Sequence, residues 1–248
     1  MPFSLDNLFS SLIFYIIYIE SEERNMMDKK DRTKYYNILN VLYNPDNNDS
    51  FASFLETPCK ERWEAVEDAN FTDYSLASGA SKGVIIDENL DYVIKIPFLF
   101  EYYTRNGEAV LSDFDNYCSL EESVYDCAKT YGLNDFFAES FFLGYFHNVP
   151  IYLMKRMDAS CERCSDTTIS GLVESGLDED KASDVYYETL EENDEGLVRL
   201  LFGLYYDEDE VDDLIDFLER QQINDLHDGN IGFDAHDNPV LIDYSGYR

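Results

Sequence analysis

A short polar segment near the C-terminus constrains this chain more than any other feature. In residues 223–230, Asp225 stands five positions before Asn230, and Asp243 follows thirteen positions after Asn230. The sequence between them predicts a hairpin, with strands at residues 231–233 and 239–243. This spacing lets one carboxylate approach an attacking group, while the amide oxygen and Asp243 hold Mg²⁺. The alternative interpretation is a solvated acidic loop.

A single lysine interrupts an apolar strand far upstream, in Val93-Ile94-Lys95-Ile96. Burying an ammonium group is costly unless a carboxylate or a phosphate meets it. Apolar positions at helical spacing predict a helix within residues 113–131 that carries Glu121 on its buried face. We therefore expect Glu121 to pair with Lys95, with Glu122 as a rival that has a poorer apolar face. A lysine at an exposed strand edge is the other interpretation.

A turn of small residues, Ser78-Gly79-Ala80-Ser81-Lys82-Gly83, separates two predicted strands. Glycine and small side chains let backbone N–H groups approach phosphate oxygens. Taken alone, the pattern is equally typical of an ordinary turn.

The hydrophobic pattern along the chain predicts an α+β fold. It indicates helices at 29–43, 58–66, 113–131, 181–189, 195–204 and 208–222, and strands at 74–77, 83–87, 92–97, 141–146, 149–154 and in the final hairpin. Residues 158–180 are polar and rich in Ser, Thr and Gly, so we expect an irregular linker there. The predicted organisation is an N-terminal extension (1–28), a helical segment (29–73), a strand-rich lobe (74–157) and a helical lobe (158–248).

The charge and the cysteines limit the function classes. The net charge of −34, from 52 acidic and 18 basic residues, disfavours direct nucleic-acid binding and favours a basic protein partner or simple solvation. Five cysteines form no secreted disulfide framework, so a reducing cytoplasm is expected. The apolar run Leu8–Ile19 is too short to span a bilayer, so no membrane association is expected.

Taken in order, four segments resemble the motifs of the protein-kinase-like superfamily, over residues 74 to 246. They are Gly79-Ala80-Ser81-Lys82-Gly83, Val93-Ile94-Lys95-Ile96, Asp225-Leu226-His227-Asp228-Gly229-Asn230 and Ile242-Asp243-Tyr244-Ser245-Gly246. The Asp-x-His-x-Gly-Asn wording is similar to that of the compact serine/threonine kinases of T-seven-like phages and related phage proteins. The resemblance implies a minimal two-lobed fold: an antiparallel-sheet N-lobe with one key helix and a short, mainly helical C-lobe that ends just after the metal-binding Asp.

The same resemblance implies roles for individual residues, with ATP and Mg²⁺ as cofactors. Lys95 would contact the α- and β-phosphates and pair with Glu121, Asp225 would orient or deprotonate the acceptor hydroxyl, and Asn230 and Asp243 would hold the metal. The implied nucleotide-binding residues are Gly79, Ala80, Ser81, Lys82, Gly83, Val84, Lys95, Glu121, Met154 and Met157, the last two in a hinge beside the adenine, with Ile94 lining it further.

Three departures from the superfamily pattern bear on the function. Ile223-Asn224 replaces the usual His-Arg, His227 stands where protein kinases have lysine, and only five residues follow Asp243, so we expect neither an activation segment nor the later helices that hold a peptide. The expected function is a phage Ser/Thr phosphotransferase that acts on host proteins or itself in the host cytoplasm. The alternatives are an acidic pseudokinase that inhibits a host transcription or defence protein, and a kinase fold that transfers AMP or phosphorylates a small molecule.

Overall fold

The computed structural model describes residues 29–44, 49–69, 71, 73–99, 101–103, 109–111, 117–192 and 194–245. The chain divides into two units, one up to Asn48 and one from Asp49 onward. In the first unit the described residues form helix α1, Lys29–Tyr43, with the bounds that the sequence predicts. The predicted extension, residues 1–28, lies outside the described residues.

The second unit is built on a five-stranded antiparallel sheet. Its strands and a separate two-stranded ribbon are, in chain order, β1 (Ser75–Ser78), β2 (Lys82–Ile86), β3 (Tyr92–Pro97), the ribbon strands β4 (Glu101–Tyr103) and β5 (Ala109–Leu111), then β6 (Ser140–Phe146) and β7 (Val149–Lys155). The order across the sheet is β1-β2-β3-β7-β6, so β3 is the central strand. The predicted meander of β1 to β3 and the predicted β6–β7 pair are confirmed.

Two short helices precede the sheet, α2 (Ser50–Glu56) and α3 (Lys60–Glu67). The indole of Trp63 on α3 is fully buried. Its Nε1 donates to the carbonyl oxygen of Ala77 at 3.1 Å, which ties α3 to β1. The rings of Phe54 and Trp63 meet edge to face with centroids 4.9 Å apart. The sequence predicts α3 but not α2.

Helix α4 (Tyr117–Tyr131) packs against β3 and β6. Its buried face carries Cys118, Glu121, Val124 and Ala128, a spacing of three and four residues that fits one side of a 3.6-residue helix. A single 3-10 turn, Asn134–Phe136, connects it to β6. The predicted helix, with its acid on the buried face, is therefore confirmed.

The rest of the unit is mainly helical, with α5 (Cys161–Glu174), α6 (Glu179–Glu192), α7 (Asp194–Phe202) and α8 (Glu208–Gln221). The prediction of an irregular linker at 158–180 is wrong, because α5 occupies most of it. Ser160 caps α5 by accepting from the backbone N–H of Arg163, and Cys164, Thr168 and Leu172 form a buried stripe. The hydroxyl of Thr168 donates to the carbonyl of Cys164 at 2.8 Å, so this buried polar group is hydrogen-bonded within the helix. The polar composition of the segment is therefore compatible with a helix.

A hairpin closes the described chain, after a 3-10 turn at Asp228–Asn230. Its strands are β8 (Ile231–Phe233) and β9 (Pro239–Leu241). The backbone N–H of Ala138 donates to the carbonyl of Leu241 at 2.8 Å, and the Tyr244 hydroxyl donates to the carbonyl of Ala138 at 2.5 Å. These two bonds hold Leu241 and Tyr244 against Ala138. Asp243 lies between Leu241 and Tyr244 in the sequence, so the two bonds fix its position.

The architecture is the α+β arrangement that the sequence predicts. An antiparallel sheet with one long helix comes first, and a mainly helical part with a terminal hairpin follows. Within the described residues, no helix combines the length and the apolar character needed to cross a membrane.

Candidate active site

The predicted contact between Lys95 and Glu121 is present. The Lys95 Nζ lies 3.0 Å from Glu121 Oε1 and 3.1 Å from Oε2. Lys95 is 5% exposed and Glu121 is fully buried. Since β3 is hydrogen-bonded on both sides, by β2 and β7, the alternative of a lysine at an exposed strand edge is wrong.

A second lysine, Lys82, meets the same carboxylate. It is the first residue of β2 rather than part of the preceding turn, and it is only 2% exposed. Its Nζ lies 2.5 Å from Glu121 Oε1 and 2.8 Å from Asp243 Oδ1. We call Lys82, Lys95, Glu121 and Asp243 the charge cluster; it contains two ammonium groups and two carboxylates.

Sheet geometry explains why both lysines reach one acid. Val84 pairs with Lys95 across β2 and β3, and directly opposed residues point to the same face. Lys82 is two residues from Val84 and shares that face because strand side chains alternate. The face turns toward α4, where Glu121 lies. Lys82 is predicted to lie in the turn, so its contact with Glu121 is not predicted. Its position two residues before Val84 in an alternating strand could have indicated the contact.

Asp243 joins the cluster through the docked hairpin. The Lys95 Nζ donates to the carbonyl of Ile242 at 3.0 Å, and the backbone N–H of Ile242 donates to the carbonyl of Asn230 at 2.9 Å. Burial alone would raise the pKa of Asp243, but the ammonium groups of Lys82 and Lys95 lower it to about 2. Asp243 is therefore a carboxylate at neutral pH.

Three of the four segments that resemble the kinase motifs line one cavity of about 250 Å³, and the segment with Lys95 does not. Its wall includes Gly79, Ala80 and Ser81 from the turn between β1 and β2, and Asp225, Asn230 and Asp243 from the C-terminal part. The turn is closed by a bond from the Gly79 N–H to the carbonyl of Lys82, 3.0 Å long. Residues more than 140 positions apart in the sequence thus line one small space.

Hydrogen bonds orient the polar groups of residues 225–230. Asn230 Nδ2 donates to the carbonyl of Asp225 at 2.8 Å, which leaves the amide oxygen of Asn230 as its other polar atom. His227 Nδ1 accepts from the N–H of Gly229 at 3.0 Å, so a neutral imidazole carries its proton on Nε2. That nitrogen lies 3.7 Å from Asp225 Oδ1. Asn230 is buried, whereas the side chains of Asp225 and His227 are 35% and 52% exposed, so the segment is anchored by Asn230 and its acid is partly solvated.

The donor atoms on the cavity wall fit Mg²⁺. The cation prefers oxygen ligands and is commonly bound by one or two protein groups together with substrate phosphates. Asp243 offers a carboxylate and Asn230 an amide oxygen, and both line the cavity. Among the described residues no group of three or more His, Cys, Asp and Glu side chains gathers for a metal. Phosphate oxygens and water would complete the coordination.

The two glycines of the turn differ in what surrounds them. A Cβ on Gly83 would lie 2.5 Å from two ring atoms of Trp63, whereas a Cβ on Gly79 would meet nothing within 4 Å. The absence of a side chain at Gly83 is therefore explained by packing against Trp63. Gly79 faces the cavity. A role for either glycine in nucleotide binding stays a prediction.

The predicted adenine end of the site involves two methionines at the end of β7 and beyond it. Met154 is buried and pairs with Val93 across β3 and β7, and Met157 is half-buried beside Gly232. Neither lines the cavity, and their roles, like that of Val84, stay predictions. The prediction that Ile94 lines the adenine end also stays a prediction. Neighbouring strand residues point to opposite faces, so the buried Ile94 lies on the face opposite to Lys95, whereas Val93, two residues from Lys95, shares its face.

Comparisons with known proteins give little for this chain. No family model and no curated protein matches the sequence. A solved structure, the bifunctional kinase-methyltransferase WbdD, is similar with 19% sequence identity and a TM-score of 0.29. The match covers 67% of this chain and 30% of that protein, so the chain spans less than a third of its relative.

Proposed function

We propose that the chain is an ATP- and Mg²⁺-dependent phosphotransferase. One observation carries the proposal: Lys82 joins the buried Lys95–Glu121 pair to Asp243, and Asp243 lines a cavity together with Asp225 and Asn230. A phosphotransferase needs little covalent chemistry from its side chains; it needs phosphates and metal held and an acceptor aligned. The cluster and the cavity contain a group for each task.

The side chains divide these tasks according to their chemistry. Lys95, held by Glu121, would donate hydrogen bonds to phosphate oxygens of ATP. The carboxylate of Asp243 and the amide oxygen of Asn230 would hold Mg²⁺, which supplies positive charge against the β- and γ-phosphates. Asp225 would accept the proton of an acceptor hydroxyl. The hydroxyl oxygen bonds to the γ-phosphorus as the bond from that phosphorus to the bridging oxygen of ADP breaks.

The acceptor is the finer part of the proposal. On the motif resemblance we propose Ser or Thr of a host protein, or of the chain itself, as the acceptor, in the host cytoplasm during phage infection. The net charge of −34 supports a basic protein partner rather than nucleic acid. Exposed acids on α8, among them Asp209 and Asp212, extend this negative surface.

A pseudokinase is the second candidate, and a specific contact favours it. Lys82 Nζ lies 2.8 Å from Asp243 Oδ1, which is one of the two carboxylate oxygens that a metal could use. If that contact persists in the presence of nucleotide, the protein would bind a host transcription or defence factor without transferring phosphate.

Labelled ATP separates these functions. Purified protein would be incubated with Mg²⁺, a host lysate and ATP labelled at either the γ- or the α-phosphate. Asp243→Asn removes the metal carboxylate, and Asp209→Asn, at an exposed position on α8, is the matched control. We expect γ-label transfer by the wild type and the control, and none by Asp243→Asn.

The remaining outcomes identify the rivals. Transfer of α-label would indicate AMP transfer, with a product mass gain of about 329 Da instead of about 80 Da. Nucleotide binding by calorimetry without any transfer would favour the pseudokinase. A wild-type protein that neither binds ATP nor transfers label would refute the proposed function.

A further inference from the structure

Lys82 is the least expected member of the charge cluster. Lys95 has three oxygen partners, the two carboxylate oxygens of Glu121 and the carbonyl of Ile242. Lys82 shares Glu121 Oε1 and otherwise contacts Asp243. Lys95 therefore has no partner on the cavity wall among these contacts, whereas Lys82 is bound to Asp243, whose carboxylate lines the cavity.

Charge balance decides what this contact does. Two ammonium groups and two carboxylates neutralise each other, with Lys82, Lys95 and Glu121 buried and the Asp243 side chain 36% exposed at the cavity. A divalent cation placed at Asp243 would lie beside the ammonium of Lys82, and like charges repel strongly at low dielectric. Lys82 would then leave Asp243 and keep only Glu121, which it shares with Lys95. Two buried ammonium groups would face one carboxylate, so a further anion is needed to balance the charge.

A phosphate group would supply that anion. The turn that lines the cavity, Gly79–Ser81, is followed immediately by Lys82. A phosphate bound at this turn would come within the reach of one lysine side chain. Asp243 lines the same cavity, so the ammonium group of Lys82 would move only a short distance from the carboxylate to the phosphate.

We propose that Lys82 is an internal counter-ion that neutralises Asp243 in the nucleotide-free protein and transfers to a phosphate when ATP binds with Mg²⁺. The inference rests on the proposed function. It makes Lys82 a second phosphate-binding lysine, and it makes metal binding at Asp243 depend on nucleotide. The rival is a permanent structural bridge between β2 and the hairpin.

The first experiment measures metal binding without nucleotide. Mn²⁺ replaces Mg²⁺ because its free form is counted by electron paramagnetic resonance. Lys82→Met keeps the length of the side chain and removes its charge; Lys181→Met, at an exposed lysine on α6, is the control. We expect Lys82→Met to bind Mn²⁺ at least tenfold more tightly than the wild type, and Asp243→Asn added to it should abolish the gain. Unchanged or weaker Mn²⁺ binding by folded Lys82→Met would overturn the proposal that Lys82 is the counter-ion of Asp243.

The second experiment starts from Asp243→Asn, in which the bridge to Asp243 is already lost. Adding Lys82→Met to it leaves Lys95 and Glu121 as a balanced pair, so this double variant is expected to fold even if Lys82→Met alone does not. Metal-free ATP binding, measured by calorimetry in EDTA, should weaken at least tenfold from the single to the double variant if Lys82 binds phosphate. Equal ATP affinity of the single and the double variant would overturn the proposal that Lys82 binds a phosphate.

The two experiments separate this inference from the proposed function. If the wild type binds no ATP, with or without Mg²⁺, the proposed function and the phosphate contact both fail. The Mn²⁺ measurement then still decides whether Lys82 neutralises Asp243. If ATP binds and label is transferred, but both Lys82 tests are negative, only the inference fails.

Discussion

Replacing Gly83 with alanine should destabilise the protein although the residue lies in a glycine-containing turn motif. A Cβ at this position would lie 2.5 to 2.7 Å from three ring atoms of Trp63, whereas ordinary carbon contacts are about 3.5–4.0 Å. The indole cannot simply withdraw by about 1 Å, because its Nε1 is bonded to Glu67 at 2.9 Å and to Ala77 at 3.1 Å. The ring also packs against Phe54.

The size of the effect follows from two opposing contributions. Overpacking a dense core costs about 1–3 kcal/mol. Alanine in a strand regains about 0.5–1 kcal/mol relative to glycine, since its unfolded chain is less flexible. From the middle of each range, we therefore expect Gly83→Ala to lower the free energy of unfolding by about 1 kcal/mol.

Gly79→Ala is the matched control in the same turn. Its Cβ would meet nothing within 4 Å, so its stability should stay the same or rise by up to about 1 kcal/mol. Urea unfolding followed by circular dichroism measures both variants, with an unchanged slope as the check on two-state behaviour. In a Trp63→Leu background the cost of Gly83→Ala should largely disappear. A Gly83→Ala protein as stable as the wild type would refute the reasoning.

Three further predictions follow from single contacts. Tyr244→Phe removes the hydroxyl that donates to the buried carbonyl of Ala138, and urea unfolding should show a loss of about 1–3 kcal/mol. The pKa of Asp243, held near 2, means that its contribution to stability is present above about pH 4 and lost as the pH falls toward that pKa. The difference in unfolding midpoint between the wild type and Asp243→Asn should thus shrink on acidification; a constant difference would contradict the assignment. Lys95→Met should weaken ATP binding at least tenfold in calorimetry, while the control Lys181→Met should not.

Local periodicity was sufficient to predict most of the elements and the first half of the site. Apolar positions at helical spacing place Glu121 on the buried face of α4, and an apolar strand around Lys95 makes an acid its natural partner. These are short-range patterns, and the Lys95–Glu121 contact that they predict is present.

Other features depend on contacts that no local pattern contains. Helix α5 has a polar sequence, and its buried Thr168 is tolerated because the hydroxyl is hydrogen-bonded within the helix. The start of β2 at Lys82 is set by its pairing with β3, where Lys82 opposes Pro97. The contact between Gly83 and Trp63 joins segments 20 positions apart. A glycine is common in turns and a tryptophan is common on buried helix faces, so neither residue by itself indicates that the two are in contact.

The charge cluster is a poor device for stability, which is why its presence supports a binding role. Removing charged groups from water is expensive, and well-packed apolar residues of similar volume often serve the fold as well or better. Lys82, Lys95 and Glu121 are each 5% exposed or less, yet all are retained as charges around one carboxylate on a cavity wall. Such an arrangement suits a site that must exchange one buried partner for another, because the same ammonium groups that neutralise Asp243 can neutralise a phosphate. The buried charges would then be explained by the phosphate that they bind in the cavity and not by the stability that their own ion pairs give to the fold.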